Sequence, residues 1–449
     1  MISNRFYYSF TLLAIAVILS SCLGSSVENM DNTISRDAQI TSVQMSSYED
    51  TLKVLPKVYF SIDQVSSVPL IFNKDSLPYL FDVSNVSLKL QTKGASGIKL
   101  HLINPDSSYI WNQTDSVEIN KLKHIEVFAQ DGITTKRYTI QLNTHQQDPD
   151  IIFWQNIING YMPQPNKQVT VSDNSHFFTY YKLNNNILLT TSSIDDGTQW
   201  SSQQLSGLPQ DIVLKTIQNI VFDENRKWYA LDIENKIYTS INGKEWNTLN
   251  TSHTVKSIFG KLPSFTKDSI LTVIEDEGEY KFAKTKDFSS FHILNNVPTG
   301  FPVSEYTFTT VKDSLNYTAK YLIVTGGKTI DQVSNQRVWL LQESETEIRS
   351  TSIPQVFNVQ GSSLFNYDKK IYLMTSSNNK NVFYTSSNYG AFWKQVSDKQ
   401  LFPTEFTLRK DQSVIVDEKN NVWIFGGHNN FNSQIVEVWK GRINKLFIQ

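Results

Sequence analysis

From residue 170 to residue 449 one pattern is written six times: an apolar strand, a short turn, a second apolar strand, then a turn that ends near an aromatic residue. The second strand of each unit reads HFFTYYKL, KWYALDIE, SILTVIED, KYLIVTGG, KIYLMTSS and VWIFGGHN, anchored at Phe177, Trp228, Ile270, Tyr321, Ile371 and Val422. Units of about fifty residues, with several short strands each and no helical period, are the signature of propeller blades. Such a unit cannot bury both faces alone, so it must stack on its neighbours. The expectation is a six-bladed β-propeller over 151–449, with third strands beginning near Ile187, Ile237, Lys281, Val338, Val382 and Glu437. Two segments compete for the outer strand of the closing blade. The last unit contains RINKLFIQ, whereas IIFWQNI at 151–157 has no place in blade one and is free to join the closing blade.

The first part of the chain differs. Residues 46–147 carry short strands at KVYFSI, VPLIFN, VSLKLQ and IKLHLIN, and end in IEVFAQ, Asp131-Gly132 and RYTIQL, two strands around a strong hairpin turn signal. This predicts a small β-sandwich of about a hundred residues, so the whole chain reads as all-β. The hairpin resembles the closing strands of cadherin-like or immunoglobulin-like bacterial sandwich domains. THQQDPDI at 144–151 reads as the linker to the propeller.

The N-terminus supplies an address. Arg5, an apolar stretch from Phe10 to Leu19, and then Leu19-Ser20-Ser21-Cys22 form a signal peptide over 1–22, with an apolar segment too short to stay in a bilayer. Its ending resembles the bacterial lipobox, which implies cleavage before Cys22, acylation of that cysteine and, with Leu23 following, an outer-membrane destination. Residues 23–45 are polar and aperiodic and are expected to be a flexible tether. Cys22 is the one cysteine in the chain, so no internal disulfide can form. A net charge of −2 with no basic block argues against a nucleic-acid partner.

FSIDQ at 60–64 followed by IFNKDSLPYLFDVS at 71–84 resembles an uncharacterised, domain-of-unknown-function family of bacterial surface lipoproteins. In that family a small N-terminal strand domain precedes a propeller. The family has no established activity, so the resemblance implies fold and location only. Within the motif, Asn73-Lys74-Asp75-Ser76 reads as a turn.

Ser193-Ile194-Asp195-Asp196-Gly197-Thr198-Gln199-Trp200 matches the Asp-box spacing, with Asp195 at the Asp position. Ser386 to Trp393 repeats it with Asn388, and Ser240 to Trp246 is one residue shorter. Blades four and six instead carry Gly326-Gly327 and Gly426-Gly427, with Trp339 and Trp439 placed as in kelch repeats. Both patterns serve turns: Asp or Asn folds onto nearby amides and glycine supplies positive φ.

The enzyme signatures that accompany such blades are missing. Kelch-type copper oxidases require a cysteine in the propeller, and none is present. A sialidase needs three converging arginines, whereas the propeller has only Arg226, Arg337, Arg349, Arg409 and Arg442 and no Arg-Ile-Pro segment. Glu275, Asp276, Glu277 and Glu279 share one connection and read as a solvated turn. The histidines show no metal-ligand spacing, so no cofactor is expected. The reading is a lipid-anchored binding or scaffolding protein for a glycan or another protein, with a carbohydrate-active hydrolase or lyase as the alternative. Long polar loops on a rigid scaffold are where ligands bind. Those after the second strands of blades four and six nominate Asp331, Gln332, Asn335, Asn429, Asn430 and Phe431.

Overall fold

The computed structural model describes residues 34–103, 106–222, 225–264, 268–312, 320–344 and 346–446. Cys22 and the signal segment lie outside the described residues. The chain divides into two compact units, Met1–Gln147 and Asp148–Gln449.

In the first unit the described residues form two sheets around one core. Gln39–Ser46 pairs antiparallel with Ser87–Lys93. The other sheet has six strands, ordered Phe60–Asp63, Leu70–Asn73, Thr135–Gln141, Leu122–Ala129, Ala95–Leu102 and Ser107–Ile110. Ile40, Met45 and Leu88 from one sheet and Ile71, Leu100, Ile125, Val127 and Tyr138 from the other belong to the same buried cluster. The expected hairpin is present: Asp131 accepts bonds from the amides of Ile133 and Thr134, and Gly132 has φ +66°. The expected turn at Asn73 is tied to a longer-range bond. Its buried amide accepts from the Asn143 N–H at 2.7 Å and donates to the Asn143 carbonyl at 2.9 Å, fixing two strand ends that run parallel.

One expectation is corrected here. Residues 39–45, read as part of the tether, form a core strand. Ile40, Val43 and Met45 are buried, but a register shift between Ile40 and Ser42 breaks the alternation that would mark a strand in sequence.

Among its described residues the second unit forms six four-stranded antiparallel sheets. Each second strand falls where its anchor predicted: His176–Leu183, Asn225–Leu231, Ser269–Asp276, Lys320–Thr329, Lys370–Ser377 and Val422–Phe425. These strands lie inside a sheet that has a neighbour on each face. They are therefore apolar and buried without alternation, as in Val422–Phe425, where all four residues are buried.

First strands of adjacent blades touch around the axis, and a side-chain hydrogen bond crosses every blade junction. Asn219 Nδ2 donates to the Ser172 carbonyl, Gln218 Nε2 to the Ile258 carbonyl, and the Ile258 amide to the Tyr306 hydroxyl. The Leu364 amide donates to Thr307 Oγ1, Ser363 Oγ to the Gln412 carbonyl, and the Thr170 amide to Ser413 Oγ, which closes the circle.

The ring is completed by the earlier of the two competing segments. Ile152–Asn159 pairs with the third strand of blade six, Glu437–Ile443, and becomes its outer strand. Trp154 fixes it by packing on Phe402 and Phe383, with ring centroids 4.6 and 5.9 Å apart. The described part of RINKLFIQ supplies no fourth strand: Arg442 and Ile443 end the third strand, and Asn444–Leu446 turns as a short 3-10 helix.

Candidate functional site

The Asp-box turns join third to fourth strands, at the end of the blades opposite the second-to-third connections. In each of the three, the tryptophan indole N–H donates to the box glycine carbonyl: Trp200 to Gly197 at 2.8 Å, Trp246 to Gly243 at 3.2 Å and Trp393 to Gly390 at 3.0 Å. Asn242 caps the amides of Lys244 and Glu245, and Asn388 that of Phe392. In blade one the capping residue is Asp196, which accepts from the Gln199 amide. Asp195, the residue that the spacing selected, points outward to Lys419 at 2.6 Å, and that ammonium holds its carboxyl below the usual value. A Cβ on Gly243 would stand 2.8 Å from the Tyr180 hydroxyl of blade one, and one on Gly197 would stand 2.6 Å from Trp423 of blade six. These turns are wedges between blades, and their chemistry is spent on packing.

The glycine pairs serve the same end. Gly327 has φ +76°, and a Cβ there would lie 2.3 Å from the Ser304 carbonyl oxygen. Opposite it, Asn335 is buried and is not available to a ligand. Its Nδ2 donates to the carbonyls of Gly326 (3.0 Å) and Arg337 (2.9 Å). Its Oδ1 accepts from the Arg337 amide (3.1 Å) and from Trp339 Nε1 (3.2 Å). The kelch-like glycine pair and tryptophan of blade four are thus joined through Asn335. In blade six Trp439 Nε1 donates instead to Glu437 Oε2 at 3.0 Å, and Glu437 also receives the fully buried Arg409 guanidinium. The sequence identified Arg409 only as one of five propeller arginines and Glu437 only as the start of a third strand; nothing in their spacing marked them as a pair.

The other nominated residues do not form one cluster. Asn429 Oδ1 accepts from the amides of Phe431 (2.9 Å) and Ser433 (3.0 Å) and so shapes its own loop. Asn430 and Phe431 project from that loop, and Phe431 is 88% exposed. Asp331 and Gln332 are exposed on the loop of blade four.

Asp331 belongs to a pocket of about 280 Å³ between blades three and four. Glu279 and Tyr280 enter from the second-to-third turn of blade three, Asn296 to Phe301 from the connection between the blades, and Thr329, Ile330 and Asp331 from blade four. All three segments meet at one end of the blades. Asn296 Nδ2 donates to Glu279 Oε2 at 3.0 Å.

The acidic run beside the pocket is dispersed by its partners, as expected of a solvated turn. Glu275 pairs with Lys256 at 2.9 Å, and Glu277 and Gly278 form the turn itself with φ +52° and +81°. Asp276 pairs with Lys281 at 2.8 Å, and that bond holds its carboxyl below the usual range. Ser252 Oγ lies 2.9 Å from His253 Nδ1, and His253 Nε2 lies 3.4 Å from Asp276 Oδ1. The first contact joins consecutive residues, and the Asp276 carboxylate already serves Lys281, so this is a surface network. Among the described residues no group of three or more His, Cys, Asp or Glu side chains is placed to hold a metal ion.

Family models cover both units: the DUF6242 N-terminal domain, a domain of unknown function, matches residues 29–142, and the DUF6242 beta propeller domain matches residues 148–449. The chain belongs to the DUF6242 family. No curated protein matches this DUF6242 chain. Similar solved structures include a protein of unknown function from Dyadobacter fermentans, at 10% identity and TM-score 0.42, covering 65% of this chain and 99% of that one. A mutant of Aleuria aurantia lectin in complex with alpha-methyl-L-fucoside matches at 10% identity and TM-score 0.39, covering 62% and 93%. A thermostable family-43 glycoside hydrolase matches at 13% identity and TM-score 0.31, covering 52% and 88%.

Proposed function

We propose that this DUF6242 protein is a non-enzymatic binding protein of the bacterial cell envelope, anchored by lipid at Cys22, whose propeller takes a glycan. The pocket beside Asp331 carries the reading. It combines carboxylate, amide and hydroxyl groups with the apolar surfaces of Tyr280, Val297 and Pro298, the mixture that a sugar's hydroxyls and C–H faces require. At about 280 Å³ it lies just under the range of roughly 300–1,000 Å³ for drug-sized ligands, so it suits one sugar residue of a longer chain. Asp331 and Gln332 serve this site in the reading, and Asn430 and Phe431 offer a second contact surface on the same face.

Calorimetry against a panel of polysaccharides and oligosaccharides tests the proposal. Asp331→Ala should weaken the binding of an identified glycan at least about tenfold, the value of one charge-assisted hydrogen bond. Unchanged affinity in that variant would move the site elsewhere. One observation favours the alternative of a hydrolase: Glu279 and Asp331 face a common pocket, and glycoside hydrolysis uses two carboxylates. Turnover of any glycoside that is abolished by Glu279→Gln or Asp331→Asn alone would replace the binding reading.

Anchoring is tested separately. Cys22→Ser should release the protein from the membrane fraction with an unchanged melting profile. Retention on membranes after a salt wash would refute attachment through that residue.

A further inference from the structure

We infer that the pocket between blades three and four selects an ammonium-bearing sugar residue, that is, an unacetylated amino sugar, over neutral sugars. The inference rests on the glycan-binding role proposed above and narrows it by charge. Glu279 and Asp331 line the cavity from adjacent blades, and none of its lining residues is a lysine, arginine or histidine. The lysines in the vicinity form their salt bridges with other carboxylates, although Lys281 also feels the charge of Glu279. Lys281 pairs with Asp276 at 2.8 Å, Lys256 with Glu275 at 2.9 Å and Lys328 with Glu305 at 3.2 Å. Among the described residues neither Glu279 nor Asp331 takes part in a salt bridge.

Two such carboxylates give the pocket a negative potential, and the low-dielectric wall of Val297, Pro298 and Phe301 concentrates it. A ligand ammonium supplies three donors and a full positive charge to these acceptors. N-acetylation removes the charge and leaves a single donor, so it forfeits charge-assisted bonding while adding bulk to a small cavity. The Asn296 amide oxygen and the Thr299 hydroxyl remain to meet neighbouring sugar hydroxyls, and Tyr280 and Val297 to cover the apolar face of the ring.

The test titrates the full chain with a glucosamine tetrasaccharide and with its fully N-acetylated counterpart, at low and at high salt. The amine form should bind at least about tenfold more tightly, the factor carried by one charge-assisted hydrogen bond, and the preference should shrink as salt screens it. Glu279→Gln and Asp331→Asn, both at exposed positions, should each abolish the preference with an unchanged melting temperature. Asp195→Asn, at the opposite end of the blades, should leave it intact. Equal affinity for the two tetrasaccharides would overturn the charge selection while sparing the glycan reading. A preference that survives in both pocket variants would overturn the assignment to this pocket. Lysine amide binding as tightly as the amino sugar would overturn the sugar assignment, and a chain that binds no saccharide at all would overturn both proposals.

Discussion

Asn335 was nominated by sequence as a ligand contact and is found instead as a clasp inside blade four, so its replacement separates the two roles. Alanine removes the acceptor for two buried donors, the Trp339 indole N–H and the Arg337 amide. It also removes one donor to each of two carbonyls, of which that of Arg337 keeps a bond from Thr325 Oγ1. A buried donor left without a partner costs about 1–3 kcal/mol. With two such donors and partial relief at the carbonyls, Asn335→Ala should destabilise the propeller by about 3 kcal/mol. At about 2 °C per kcal/mol for a unit of this size, the melting temperature should fall by about 6 °C. Asn335→Asp should do no better, because it retains the acceptor but sets a carboxylate against the carbonyls of Gly326 and Arg337. Asp331→Ala, in the same loop but exposed, should stay within about 0.5 kcal/mol of the parent. Thermal melts followed by tryptophan fluorescence measure all three. A parent-like melt for Asn335→Ala together with reduced ligand affinity would refute the clasp and return the residue to the binding surface.

Glu437→Gln should destabilise the closing blade by about 3 kcal/mol, because it strands the buried Arg409 guanidinium. Burial pushes the Glu437 carboxyl up, but bonds from Trp439, Arg409 and Thr407 outweigh it and hold the carboxyl below the usual value. Its contribution is therefore complete at neutral pH and is lost as the pH falls through that lowered value, so melting curves of parent and variant should converge in acid; parallel curves would contradict this. Gly327→Ala and Gly300→Ala both impose alanine on a positive φ, but only the first drives a Cβ into backbone, at 2.3 Å from the Ser304 carbonyl. Gly300→Ala should cost about 1 kcal/mol, Gly327→Ala clearly more, and equal melts would show that the strand relaxes freely. Deleting residues 151–159 should broaden and lower the propeller transition and promote aggregation, since it exposes the long edge of Glu437–Ile443. An unchanged, cooperative melt would mean that the outer strand is dispensable.

The six-fold pattern was legible because second strands buried on both faces must be apolar throughout, and such runs stand out at Phe177, Ile270 or Val422 whatever surrounds them. What was lost depends on bonds that leave no mark on composition. Asn335 and Asp331 look alike in a polar loop. Only the fold shows one turned inward to Trp339 and the other turned out, although the spacing of Asn335 and Trp339 after a glycine pair was a usable hint. Asp195 and Asp196 differ by one position, and the turn decided between them. The strand at Ile40 escaped because a bulge displaced its apolar residues from alternation. The pocket could not be read at all, because Glu279 and Asp331 come from different blades and meet only when those blades stack.

The pairing of Ile152 with Ile443 joins the first strand of the propeller to leave the ribosome with the last. Until the final residues appear, the early strand has no partner, and each intermediate length of chain is an open arc with an unsatisfied edge at either end. Such long-range pairing is slow and leaves strands exposed while it waits. The ring cannot shut before Glu437–Ile443 meets Ile152–Asn159, so the propeller commits to its folded shape late, as one closure that joins strands almost three hundred residues apart.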